Sequence, residues 1–83
     1  MFINKAQDGS NNLCGKNVSR LRSNMKLSQR ALADLLQITG LDIDKNAIQR
    51  IEAGKRFVTD IELAALSRVL DVTIDELLSK QKE

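Results

Sequence analysis

Histidine, proline, tryptophan and tyrosine are absent from this chain, and Cys14 is its only cysteine. Without histidine the commonest general base and the commonest metal ligand are both missing. A lone cysteine can form neither an internal disulfide nor a cysteine-only metal site. No glycine-rich phosphate cradle occurs, and the carboxylates fall where helix caps and surface charges are wanted. No catalytic residue, no metal site and no cofactor is therefore expected. The only aromatics are Phe2 and Phe57, whereas a β-rich domain draws on aromatic and β-branched runs. No stretch approaches the ~20 apolar residues of a membrane span, and the N-terminus lacks a signal-peptide core. A reducing cytoplasm is the expected location, with no membrane contact.

Leucine, alanine, lysine, arginine, glutamine and glutamate fill the space these absences leave, and all favour helix. A chain of 83 residues makes one domain that buries roughly 60% of the surface its unfolded form exposes. Its net charge of +2 is small but unevenly placed. Residues 1–56 carry ten Lys/Arg against five Asp/Glu, a balance of +5, and residues 57–83 carry three against six, a balance of −3. One side is suited to a polyanion and another is kept from it.

Taken in order, residues 1–12 are polar and turn-rich after an apolar start. They suggest a flexible arm, pinned by Phe2 and Ile3 if a groove exists. A first helix follows from about Leu13 to Met25, capped by Asn11 or Asn12, with Cys14, Val18, Leu21 and Met25 on one apolar face. Ser28 caps a second helix whose buried stripe is Leu32, Ala33, Leu35 and Leu36, and Gly40 ends it. Leu41 and Ile43 should tuck inward. Thr59 and Glu62 form a capping box ahead of a fourth helix that is apolar nearly all round, which suggests a central position. Phe57 and Val58 before it are expected as core plugs. Thr73 and Glu76 form a second box at the start of a short fifth helix, and the tail 79–83 should fray. The expected fold is all-α, a compact bundle of five short helices.

Between the second and fourth helices lies DKNAIQRIEAGKR, Asp44 to Arg56. Asp44 is the cap, Ile48 and Ile51 mark the buried side, and Gly54 supplies the left-handed stop. Lys45, Asn46, Gln49 and Arg50 point elsewhere, as a row of long side chains able to donate hydrogen bonds. Lys55 and Arg56 follow the stop. An apolar back, a polar front and a cationic exit suit a surface that reads nucleic acid.

The order LSQRALADLL, AIQRIEAGKR, LAALSRVLDVTIDELL resembles the phage repressor and Cro-type helix-turn-helix regulators, the xenobiotic-response-element type. The likeness covers about Leu13 to Leu78, so the domain is set at 13–78. It implies a lambda-repressor-like fold with the helix-turn-helix at the second and third helices. It also implies that the third helix lies in the major groove. Carried over, the base-reading residues are Lys45, Asn46, Gln49 and Arg50, and the phosphate contacts are Gln29, Lys55 and Arg56. The resemblance further implies that Arg22 pairs with Glu52 to hold the third helix, which Ile48, Ile51 and Gly54 also support.

Two features depart from the family pattern. The connector ITGLDID is about five residues longer than usual, and either lengthens the second helix by a turn or makes a larger loop. Asp44 either caps the third helix or accepts from a cytosine amino group. The function these readings favour is sequence-specific binding of double-stranded DNA by a small regulator, a repressor acting as a homodimer on a palindromic operator. Val69, Leu70, Val72, Leu77 and Leu78 are its candidate dimer surface, although most of them belong to the core. The competing reading is a protein-interaction module of the same fold, such as an antitoxin that binds a toxin or an adaptor to a transcription protein.

Overall fold

The computed structural model describes residues 4–80. Five helices follow one another: α1 (Gly15–Asn24), α2 (Gln29–Ile38), α3 (Lys45–Glu52), α4 (Asp60–Leu70) and α5 (Ile74–Leu78). No strand occurs among the described residues. Phe2 and Ile3, the expected pins of the arm, lie outside them, as do the last three residues of the tail.

Each helix after α1 opens on a side-chain cap that accepts from a first-turn amide. Ser28 accepts from the Ala31 amide, Asp44 from Ala47, Thr59 from Glu62 and Thr73 from Glu76. At α4 the box is complete, because Glu62 Oε1 also accepts from the Thr59 amide at 3.0 Å. At α5 the structure shows the hydroxyl half. A cap of this kind stabilises a helix by about 1 kcal/mol. α1 starts differently: Asn12 Oδ1 accepts from the Gly15 amide at 2.8 Å, one of the two caps expected.

The stops of α1 to α4 share one geometry, and α5 ends instead on extended Ser79. After α2 the Leu41 amide donates to Leu36 O and the Gly40 amide to Gln37 O. After α3 the Lys55 amide donates to Arg50 O and the Gly54 amide to Ile51 O. Both are Schellman closures around a left-handed glycine, with φ of +97° at Gly40 and +75° at Gly54. The same closure ends α1 and α4, but there Lys26 and Asp71 occupy the left-handed position, at φ 59° and 56°.

One core unites the helices. Val18 of α1, Leu32, Ala33 and Leu36 of α2, Ile48 and Ile51 of α3, Leu66 and Leu70 of α4 and Leu77 of α5 are all buried. Cys14 and Ile43 join them from outside the helices. α2 makes its most extensive contact with α3, and α4 and α1 close over the pair.

Several apolar positions lie elsewhere than their periodicity suggests. Met25, expected on the buried side of the first helix, is exposed beyond the end of α1, and Leu35 is exposed on α2. Phe57 is 59% exposed and Ile61 is 71% exposed, so Phe57 is no core plug and α4 is not buried all round. α4 shields one side only, through Glu62, Leu66 and Leu70. Among the candidate dimer residues, Leu70 and Leu77 belong to the core, Val69 and Val72 are half-buried, and Leu78 is exposed.

The long connector takes the second of its alternatives, a larger loop, since only its first residue, Ile38, belongs to α2. α2 runs on to Ile38, and Thr39–Asp44 then form a loop whose Leu41 and Ile43 turn into the core. Gln37 braces that loop by donating from Nε2 to Ile43 O at 2.8 Å. The Gln37 amide and the Ile43 anchor fix where α3 begins.

Candidate nucleic-acid interface

α3 is short, so its orientation depends on what grips its two sides. Ile48 and Ile51 are fully buried. With 3.6 residues per turn, positions 46, 49 and 50 fall away from that side and position 45 on its flank. Lys45, Asn46, Gln49 and Arg50 are all exposed. None of their side chains hydrogen-bonds to another described residue. Asp44 Oδ1 accepts from the Ala47 amide at 2.8 Å, so its carboxylate is engaged as the cap.

The C-terminal end of α3 is held by a charged knot. Arg22 donates from Nε to Glu52 Oε2 at 2.7 Å and from Nη2 to Oε1 at 3.0 Å, a two-bond fork. Arg22 Nη1 donates to Leu27 O at 2.7 Å, and Gln29 Nε2 donates to Glu52 Oε1 at 3.0 Å. One carboxylate thus ties α1, the start of α2 and the end of α3 together. The bond from Glu52 holds the Arg22 guanidinium above its ordinary pKa, against the opposing effect of desolvation. Gln29 spends one amide hydrogen on Glu52, and its other amide hydrogen is available to a further acceptor.

The two cations after α3 are placed differently. Lys55 is exposed. Arg56 turns back on α4, donating from Nη1 to Glu62 Oε1 at 2.8 Å. That bond is the largest cause holding the Glu62 carboxyl below the usual carboxylate range, and burial opposes it. Arg56 is therefore committed to an internal ion pair, which composition could not reveal.

Sequence reasoning missed a second grip on this loop. The flexible arm expected over 1–12 does not describe residues 10–12. The Asn11 amide donates to Gly54 O at 2.8 Å, and Asn11 Nδ2 donates to Lys55 O at 3.0 Å. Asn12 Nδ2 donates both to Ile51 O at 3.1 Å and to Arg56 O at 2.8 Å. α1 approaches closely here: a Cβ on Gly15 would lie 2.2 Å from Ile51 O. Asn12 was visible in the sequence as a helix cap, but nothing local marks its bonds to residues 39 and 44 positions away.

No group of histidine, cysteine or carboxylate side chains that could hold a metal ion occurs among the described residues. No helix among them is long and apolar enough to cross a membrane.

Comparison with known proteins places this geometry. Residues 18–77 match the helix-turn-helix family HTH_3. The crystal structure of the restriction-modification controller protein C.AhdI from Aeromonas hydrophila matches with a TM-score of 0.67 and 30% identity, over 76% of this chain and 88% of that chain. A search of curated proteins gives no match. The five-helix order, the shared fold and the family match over most of the chain lead to one conclusion: this protein belongs to the Cro/C1-type helix-turn-helix family of DNA-binding transcription regulators, which are not enzymes.

Proposed function

We propose that the protein is a sequence-specific regulator of transcription that lays α3 in the major groove of a two-fold operator and acts as a homodimeric repressor. The observation that carries this reading is the row formed by Lys45, Asn46, Gln49 and Arg50, exposed and uncommitted on a helix whose other side is locked. Asn46 and Gln49 have the donor and acceptor pair that adenine presents a match for, and Arg50 or Lys45 can donate to the two acceptors of guanine. Gln29 and Lys55 supply phosphate contacts, which add affinity without sequence information. Arg56 serves the same contact through the loop it shapes with Glu62. The likeness to a restriction-modification controller protein supports the regulatory reading.

Dimerisation follows from the few base pairs that one recognition helix covers. α5 offers Ile74 and Leu78, 40% and 37% exposed, beside the half-buried Val69 and Val72. Selection of bound duplexes from a random pool at two salt concentrations tests the reading. It predicts enrichment of a palindrome and binding that weakens steeply with salt.

The competing reading, a module for a protein partner such as a toxin or a transcription protein, draws on Phe57 and Ile61. These side chains are 59% and 71% exposed in the acidic third of the chain. Affinity for a protein without any duplex binding would favour it.

A further inference from the structure

The geometry points to residues 10–12, which lie before the family match at 18–77, as a clamp that sets the loop after α3 for the DNA backbone, with Asn12 as its positioning residue. The proposal rests on the reading of Lys55 as a phosphate contact.

A helix ends with carbonyl groups that have no partner within it and carry partial negative charge. Left facing a phosphate, they would repel it. Here Ile51 O, at the end of α3, accepts from Asn12 as well as from the Gly54 amide, and the carbonyls of Gly54, Lys55 and Arg56 in the loop beyond accept from Asn11 and Asn12. The clamp therefore engages the carbonyl acceptors of the loop, while the Lys55 side chain stands exposed.

Asn12 is suited to this task because an amide presents donors and an acceptor together. Its Nδ2 spans Ile51 O and Arg56 O, while its Oδ1 accepts from the Gly15 amide at 2.8 Å. Three segments meet on one side chain: the start of α1, the end of α3 and the loop beyond it. The Ser10 hydroxyl lies between two acceptors, Asp8 Oδ1 at 2.7 Å and Asn12 O at 2.9 Å, and its one proton is shared between them. Space is closed as well, since a Cβ on Gly54 would lie 2.8 Å from Ser10 Cβ.

The test is the salt dependence of binding to random-sequence duplex DNA by the full chain and its folded variants. Each lost phosphate contact lowers the slope of log affinity against log salt by ~0.9. Lys55→Ala should show that loss. Asn12→Asp keeps the acceptor for the Gly15 amide but removes both donors to the loop, and should show the same loss of slope. Asn11→Ala removes only the side-chain bond to Lys55 O and serves if Asn12→Asp does not fold. Adding Lys55→Ala to either Asn variant should lower the slope no further. A side chain that merely stabilises the fold would lower the melting temperature and leave the slope of the folded protein unchanged; that result overturns the clamp. If Lys55→Ala itself leaves the slope unchanged, or the parent chain binds no duplex, the phosphate reading fails and the clamp falls with it.

Discussion

Arg22 and Glu52 stand 30 residues apart in the chain and meet in a two-bond fork, with Nε to Oε2 at 2.7 Å and Nη2 to Oε1 at 3.0 Å. The pair is largely shielded, with the side chains 16% and 8% exposed. Removing one partner leaves the other's charge without its hydrogen bonds in a desolvated place. Glu52→Ala strands the Arg22 guanidinium and the Gln29 amide at once. We expect a loss of about 2–3 kcal/mol in urea unfolding, together with weaker DNA binding through misplacement of α3. Unchanged stability with unchanged affinity would contradict this role.

Gly15 gives a test with an unusual sign. Within a helix, replacing glycine by alanine stabilises by about 1 kcal/mol. A Cβ at Gly15 would meet Ile51 O at 2.2 Å and Asn12 Oδ1 at 2.9 Å. The first of these is backbone and has little room to yield. Gly15→Ala should therefore destabilise the fold by about 1–3 kcal/mol, measured by thermal or denaturant unfolding.

Glu62 sets part of the acid limit. Arg56 holds its carboxyl below the ordinary value of 4.5. A carboxylate whose pKa falls on folding contributes stability that is fully present above its unfolded value. That contribution is lost as pH falls through the folded value. Stability should thus decline below about pH 4.5, and Glu62→Gln should flatten that decline while lowering stability at neutral pH. Unfolding curves of both proteins across the acid range check it.

Much of the fold was legible because its signals are local. Ser28, Asp44, Thr59 and Thr73 announce helix starts by their side chains, and Gly40 and Gly54 announce stops. The stops at Lys26 and Asp71 carry no such mark, because residues other than glycine take the left-handed position there. The bond from Asn12 to Arg56, 44 positions away, and the ion pair of Arg56 with Glu62 arise only from tertiary packing. Phe57 and Ile61 misled because hydrophobicity says that a side chain can be buried, and the partner that would bury it must come from the fold.

Cys14 is 1% exposed, and burial pushes its thiol up to about 11. The thiolate is the reactive form. A thiol-alkylating reagent should label the native protein at neutral pH only as fast as the core opens, and label the urea-unfolded protein rapidly. Rapid labelling of the folded protein would place Cys14 outside the core.

The central claim is that the exposed side of α3 reads bases. The direct measurement compares wild type with Gln49→Ala on the duplex enriched from a random pool and on its scrambled counterpart. Gln49 is exposed and makes no side-chain bond to another described residue, so the variant should fold as the wild type does. The account predicts that Gln49→Ala loses about 1–3 kcal/mol of preference for the enriched duplex, with affinity for the scrambled duplex unchanged. A pool that yields no enriched sequence, or a Gln49→Ala protein that keeps the full preference, would contradict it.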